Sequence, residues 1–303
     1  DRSFRLAVLF VLMSTSLWAV DSAVGDDAIG VLESFQPGGE RGVETWRIDG
    51  NDYLFVVSEI PTATAAGVGS PDPVPGHLVR VRYDIRDGVR YATLMQHLPY
   101  GPDAIQDGPH LIWRDSTSAT MITVVDGEVI RTRFDDLSPG DELPTPSRNV
   151  PMIRVGSVTE APASSWPDAK RILAVSDLEG NRETFLSFLK GNGVINERGD
   201  WIWGDGHLVL NGDIVDRGDE VTELLWLIRR LERQARASGG HVHYVLGNHE
   251  SMVLAGDLRY IHPNYRFSTD RIGIPYDELH GPDTELGRWL RNHNSVVRLG
   301  PLL

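Results

Sequence analysis

Three short apolar runs in the C-terminal half of the chain are each followed directly by acidic or amide side chains. The runs cover residues 171–175, 207–210 and 241–246, and each has the length of a buried strand. Segments with helical periodicity separate them, so the predicted order is β-α-β-α-β. Such an order implies a mostly parallel sheet, and sheets of this kind bind ligands beyond the carboxyl ends of their strands.

The longer of the two predicted helices has one apolar face. That face consists of Val221, Leu224, Leu225, Ile228 and Leu231. A spacing of three and four residues is that of an α-helix packed on a sheet. We predict that Asp219 caps the start of this helix and that the glycines at 239 and 240 end it. The shorter helix is predicted over residues 181–190.

The pattern in the N-terminal half has a period of two from about residue 29 to residue 134. The clearest example places Val79, Val81, Tyr83 and Ile85 on one face and Arg80, Arg82 and Asp84 on the other. This alternation predicts half-buried strands. Asp-Gly pairs at 49–50, 87–88 and 126–127 predict hairpins with type I′ turns, in which both central residues have positive φ.

Composition changes along the chain suggest four segments. Arg2 and Arg5 precede an apolar run, which predicts a secretory signal peptide at residues 1–23; a membrane anchor is the alternative, although the run is shorter than the ~20 residues of a spanning helix. We predict an antiparallel all-β domain at 24–150, a Pro- and Ser-rich linker at 151–169, and a second domain at 170–303.

Charge and cysteine content narrow the class of protein. The net charge is −14, from 43 acidic and 29 basic residues, which argues against binding to a nucleic-acid backbone. The absence of cysteine excludes disulfides and thiolate metal sites. Together with the predicted signal peptide, this composition favours an exported bacterial enzyme, periplasmic or secreted, with no stable membrane span.

The side chains after the three runs are suited to binding divalent metal ions. The clusters are Ser176-Asp177-Leu178-Glu179-Gly180-Asn181, Gly212-Asp213-Ile214-Val215-Asp216-Arg217-Gly218 and Gly247-Asn248-His249-Glu250. Carboxylate, amide and imidazole ligands can bind Mn, Fe, Zn or Mg. A pair of cations roughly 3.5–4 Å apart is the template for phosphoester cleavage. We therefore predict two divalent metal ions, with Asp213 as the candidate bridging ligand.

The second and third clusters resemble the GDxxDRG and GNHE signatures of the calcineurin-like metallophosphoesterases, specifically the phosphoprotein phosphatase family. The resemblance covers about residues 170–298. It implies an α/β fold in which two sheet layers are flanked by helices, an α/β/β/α arrangement. It also implies a phosphatase that acts on phosphomonoesters, including those of phosphoproteins, by attack of a metal-bound hydroxide.

The resemblance assigns roles to individual residues. It implies that Asp177, Asp213 and Asn248 bind metal, and that Asn248 also contacts the substrate phosphate. His249 becomes the general acid, and Asp216 orients it. Arg217 clamps the phosphate with its planar guanidinium.

The first cluster departs from the family pattern, which has histidine where this chain has Glu179. Glutamate can bind the same cations but adds a negative charge, which shifts the expected preference toward Mn or Mg. We associate this departure with a bacterial branch of the family. Two simpler interpretations remain open, namely that Asp177 and Asn181 cap the following helix, and that Asp216 and Arg217 form a surface ion pair.

Two other functions remain open. One is hydrolysis of dinucleoside polyphosphates or other phosphoanhydrides, because related enzymes share these motifs. The other is a non-catalytic binding module in which Glu179 marks a decayed metal site. The family's two further metal-binding histidines are not found in this sequence, since His280 and His293 lie in a different context. We therefore expect the phosphatase domain to be truncated at its C-terminus.

Overall fold

The computed structural model describes residues 5–8, 26–36, 43–56, 62–64, 74–156 and 161–300. The strands are β1 (Arg5–Val8), β2 (Asp26–Gln36), β3 (Val43–Ile48), β4 (Asn51–Val56), β5 (Thr62–Thr64), β6 (Leu78–Arg86), β7 (Val89–Leu98), β8 (Asp107–Trp113), β9 (Ala119–Val125), β10 (Glu128–Phe134), β11 (Glu142–Pro144), β12 (Met152–Arg154), β13 (Ser165–Trp166), β14 (Arg171–Val175), β15 (His207–Asn211), β16 (His241–Val245) and β17 (Arg298–Leu299). The α-helices are α1 (Arg182–Gly191), α2 (Val221–Ala237), α3 (Asn248–Leu254), α4 (Pro263–Ile272), α5 (Tyr276–Leu279) and α6 (Glu285–Arg291). A short 3₁₀ helix covers Pro102–Ala104.

A parallel sheet with the order β1-β14-β15-β16 forms the centre of the C-terminal half. The three strands predicted from the apolar runs are therefore confirmed. Alternate residues point to opposite faces. Leu173, Val175, Leu208 and Leu210 pack with the helices. Ile172, Val209 and Val245 pack instead with Leu299 of β17. The sheet consequently has one helical face and one face where β13 and β17 lie.

Helix α2 covers residues 221–237, as its apolar face predicted, and Gly239 follows it with a φ of 82°. The predicted cap was wrong. Glu220 occupies the N-cap position and makes no side-chain capping bond. The backbone N–H of Val221 instead donates to the Tyr265 hydroxyl at 2.6 Å. A residue on another helix thus satisfies a donor that the first turn leaves free.

The three Asp-Gly turns connect antiparallel strand pairs, β3–β4, β6–β7 and β9–β10. Their φ values are 44° and 75° at Asp49-Gly50, 51° and 77° at Asp87-Gly88, and 51° and 75° at Asp126-Gly127. Positive φ at both central residues is the type I′ geometry. The hairpin predictions are confirmed.

Strands β2–β7 form a six-stranded sheet that differs in two respects from the predicted pattern. Ile85, which we placed on the apolar face, is 57% exposed. Val79 and Val81 are buried as expected. Arg80, which we placed on the polar face, is also buried, with 2% of its surface exposed. Its guanidinium donates to Asp27 at 2.6 Å and to Gln96 at 3.0 Å. The second face of this strand is therefore covered at Arg80. The buried charge is tolerated because Asp27 and Gln96 accept hydrogen bonds from it.

A three-stranded sheet, β10-β9-β8, lies between the six-stranded sheet and the phosphatase-like half. Leu111, Ala119 and Met121 from this sheet belong to the same apolar core as α2. Ile122 and Val124, on alternate positions, share a second core with Phe267 and Ile272 of α4. The C-terminal half of the chain is thus a mixed α/β structure, and a β-rich region precedes it, as predicted. The division into two domains joined by a linker at residues 151–169 stays a prediction.

The N-terminal prediction falls largely outside the described residues. Within residues 1–23, only Arg5–Val8 is described, as strand β1 beside β14. The signal peptide and the alternative membrane anchor both stay predictions. Among the residues that the structure describes, no helix has the length and apolar character needed to cross a bilayer.

Candidate active site

The loops after β14 and β15 contain an unusual concentration of left-handed backbone. The non-glycine residues with positive φ in these loops are Asp177 (56°), Glu179 (46°), Asp213 (55°), Asp216 (72°) and Arg217 (58°). Such conformations cost free energy for residues with a Cβ and concentrate at functional sites. All five were named as site residues from the sequence.

Backbone hydrogen bonds join the first two loops. The N–H of Asp177 donates to the Gly212 carbonyl at 3.2 Å, and the N–H of Glu179 donates to the Asp213 carbonyl at 3.0 Å. The second and third loops also lie close together, because a Cβ built on Gly212 would be 2.6 Å from the Cα of Gly247. Only glycine allows this approach, and the contact brings the Asp213 and Asn248 loops together.

Glu250 connects the second and third loops, a role that sequence reasoning missed. Its side chain is fully buried. The carboxylate accepts five hydrogen bonds, from the N–H groups of Asp213 (3.0 Å), Ile214 (2.8 Å), Val215 (3.3 Å) and Gly247 (2.7 Å) and from the Tyr244 hydroxyl (2.9 Å). The signal was present, since Glu250 is the last residue of the third cluster. Its partners are distant in sequence and could not be identified from it.

His249 and Asp216 form a buried pair next to these loops. His249 Nδ1 lies 2.7 Å from Asp216 Oδ2. This hydrogen bond raises the pKa of His249, while burial raises the pKa of Asp216. With Nδ1 donating to the carboxylate, Nε2 is the nitrogen that remains to exchange a proton with a ligand. The Tyr260 ring contacts the imidazole edge to face, at 5.1 Å between ring centroids.

Arg217 is paired with Glu179 across the first and second loops. The interpretation of Asp216 and Arg217 as an ion pair with each other is therefore wrong, because Asp216 contacts His249 instead. The Arg217 guanidinium also lies 5.5 Å from the centre of the Tyr260 ring. The Arg217 N–H donates to the Tyr260 carbonyl at 2.9 Å. Tyr260 is thus a second residue that the sequence did not identify.

The remaining predicted site residues line the solvent side. Asp177 and Asn248 are exposed and Asp213 is half-buried. Asn181 caps α1 by accepting a hydrogen bond from the Thr184 N–H at 3.0 Å, so the capping interpretation holds for Asn181. No capping bond from Asp177 is described. Its carboxylate instead contributes to the electrostatics of Asp213.

The residues present suit a divalent metal ion by their chemistry. Burial raises the pKa of Asp213, and the Glu250 and Asp177 carboxylates raise it further. A nearby cation would compensate this excess of negative charge. Asp177, Asp213 and Asn248 offer the oxygen ligands that such cations prefer. Among the described residues, no three His, Cys, Asp or Glu side chains converge tightly enough to hold a metal, and Glu179 is directed to Arg217.

His280 and His293 contact other parts of the molecule. His280 is fully buried, with Nδ1 3.0 Å from the Tyr276 carbonyl. His293 stacks on Tyr244 at 5.0 Å and lies 3.5 Å from Glu232. These contacts agree with their exclusion as ligands in the sequence analysis.

The sequence matches the calcineurin-like phosphoesterase family over residues 170–299. Within these residues the chain is similar to a calcineurin-like phosphoesterase domain. Members of this family use divalent metal ions. The matched residues contain all three strand-end clusters and the whole candidate active site of this domain.

Similar proteins carry phosphatase names. The chain is 36% identical over 92 residues to Shewanella-like protein phosphatase 2 of Arabidopsis thaliana. It is 28% identical over 143 residues to Shewanella-like protein phosphatase 1 of Plasmodium berghei. A cold-active protein-tyrosine phosphatase of a psychrophilic Shewanella species has a similar crystal structure, with a TM-score of 0.60 and 36% identity.

These similarities are partial in length. The Arabidopsis match covers 30% of this chain and 24% of the relative, and the Plasmodium match covers 44% and 39%. The Shewanella structure is matched over 64% of this chain and 58% of its own length. The chain thus spans less than half the length of the two named phosphatases.

Proposed function

We propose that this protein is a metal-dependent phosphatase that hydrolyses phosphomonoesters, including those of phosphoproteins. The observation that carries the proposal is the His249–Asp216 hydrogen bond, 2.7 Å long, placed among loops that present Asp177, Asp213 and Asn248. A buried carboxylate that orients an imidazole is suited to proton transfer. The phosphatase names of the relatives support the same reaction.

The metal ligands in this proposal are Asp177, Asp213 and Asn248, with Glu179 joining them on release from Arg217. Bound cations would supply Lewis acidity and an activated water to the reaction. Two ions are proposed, with Mn the preferred metal because the donors are oxygen atoms.

The chain's own residues would bind and protonate the substrate. Arg217 offers a planar donor pair to two phosphate oxygens, and the Asn248 amide contacts the same group. His249 donates its Nε2 proton to the departing oxygen. Asp216 keeps the imidazole in the orientation that directs Nε2 outward.

A substrate screen with metal analysis tests this proposal. The protein is purified with Mn and assayed with an aryl phosphate, with phosphoserine, phosphothreonine and phosphotyrosine peptides, and with a dinucleoside tetraphosphate. We expect metal-dependent turnover of the aryl phosphate and at least one peptide. Cleavage of the dinucleotide alone would favour the phosphoanhydride hydrolase. A protein without stoichiometric Mn, Fe or Zn would favour the non-catalytic binding module.

We also propose that the protein is exported, on the basis of the signal peptide predicted at residues 1–23. Mass spectrometry of the protein purified from its native host tests this point. Cleavage near residue 23 supports export, whereas an intact N-terminus in the membrane fraction supports the anchor.

A further inference from the structure

The ion pair between Glu179 and Arg217 joins two residues that the proposed function needs for different tasks. Glu179 follows β14 and Arg217 follows β15, and their side chains are 13% and 28% exposed. Glu179 stands where the family pattern has histidine. A histidine there would not offer Arg217 a carboxylate, so this contact is a consequence of the departure.

The backbone restrains this pair from both sides. Both residues have positive φ, 46° and 58°. The Glu179 carbonyl accepts a hydrogen bond from the Gly218 N–H at 2.8 Å, directly after Arg217. The Arg217 N–H is bound to the Tyr260 carbonyl, and its guanidinium packs on the Tyr260 ring at 5.5 Å. A pair held in this way loses less side-chain entropy than a free surface pair.

The contact matters because carboxylate and phosphate compete for the same donors. The planar guanidinium binds either group through two parallel N–H bonds. While the Glu179 carboxylate lies on the guanidinium, a phosphoryl group must displace it in order to bind there. The displaced carboxylate is then available to a cation, which would hold it away from Arg217.

We propose that Glu179 is an internal competitor for the phosphate-binding group of Arg217, and that metal binding and phosphate binding are coupled through the exchange of its carboxylate. This inference rests on the proposed function for the identity of the ligand, a phosphoryl group. It assigns a role to Glu179, the residue that stands where the family pattern has histidine. Coupling of this kind is reciprocal, so each ligand raises the affinity for the other by the same factor.

Calorimetric titration of inorganic phosphate into the metal-free protein tests the competition. Glu179→Gln removes the competing charge with little change in shape, and we expect about five- to tenfold tighter phosphate binding. Glu220→Gln is the matched control. Glu220 pairs with Arg182 at 3.3 Å, with side-chain exposures of 30% and 23%, and its substitution should leave phosphate affinity unchanged.

A second titration tests the reciprocal effect on metal binding. Arg217→Gln releases Glu179, and we expect Mn²⁺ to bind about five- to tenfold more tightly than to the wild type. Equal phosphate affinity in wild type and Glu179→Gln, including the absence of measurable binding in both, would overturn the proposal. So would unchanged Mn²⁺ affinity in Arg217→Gln.

The two titrations measure binding without turnover. A protein that shows the competition but hydrolyses no phosphoester would therefore contradict the proposed function alone. Active phosphatase with unchanged phosphate affinity in Glu179→Gln would contradict the competition alone.

Discussion

Left-handed backbone occurs at aspartates both in the hairpin turns and in the active-site loops of this molecule. In the hairpins, Asp49, Asp87 and Asp126 are each followed by glycine. In the active-site loops, Asp213 is followed by Ile214 and Asp216 by Arg217, and neither following residue is small. Glycine thus follows the left-handed aspartate in each of these hairpin turns, whereas a larger residue follows Asp213 and Asp216.

The difference lies in what stabilises the conformation. A type I′ turn matches the twist of its strands and needs only local residues. Each left-handed non-glycine residue in the site costs roughly 1–2 kcal/mol, and contacts from other segments must offset that cost. Three of the five hydrogen bonds to Glu250 provide them at the second loop, from the N–H groups of Asp213, Ile214 and Val215. Strain at the site is thus maintained by tertiary contacts.

Changing Asp213 to Asn should have the largest effect on activity. It removes a carboxylate proposed to bind metal and keeps a residue that tolerates left-handed backbone. Asparagine tolerates left-handed backbone as aspartate does, so the thermal midpoint should change little. We expect the loss of at least one metal ion and nearly all turnover, because one carboxylate serves both proposed cations. Metal content by mass spectrometry and kcat would show this, and full activity would contradict the two-metal site.

His249→Ala should have the next largest effect. We expect kcat to fall by about 10²–10⁴, the usual contribution of a positioned general acid, with metal content intact. The loss should be smaller for aryl esters with good leaving groups, since these need less protonation. Kinetics over a series of aryl phosphates measure the dependence. An equal loss for every leaving group would argue against the acid role.

Glu250→Gln should affect stability more than chemistry. The glutamine NH2 group would face N–H groups that now donate hydrogen bonds to the carboxylate, and it cannot accept them. We therefore expect a loss of about 2–4 kcal/mol in the free energy of unfolding. Urea denaturation measures it. Tyr244→Phe is the control, because it removes only one of the five bonds and should cost about 1 kcal/mol. Similar values for both variants would show that Glu250 does not hold the loops.

Asp87→Asn should have the smallest effect. Asn-Gly supports the type I′ turn as well as Asp-Gly does, and residue 87 is exposed. We expect a change within about 0.5 kcal/mol in stability and unchanged activity. A loss comparable to that of Glu250→Gln would remove the distinction between the hairpins and the active-site loops.

The local features of this protein were determined by its sequence alone. Short apolar runs located strands β14, β15 and β16, a period of 3.6 residues located helix α2, and Asp-Gly pairs located three turns. The acidic clusters marked the loops that lie together at one edge of the sheet. These predictions succeed because each depends on residues that are neighbours in the chain.

Tertiary structure alone decided the contacts that bridge distant segments. Glu250 binds the Asp213 N–H across 37 residues, Tyr265 caps α2 across 44, and Arg80 is buried against Asp27 across 53. The contact between the Glu179 and Arg217 side chains also joins residues that are distant in the sequence. No periodicity or motif encodes these pairings, because the partners of a buried charge or donor are chosen by how the sheets and helices pack.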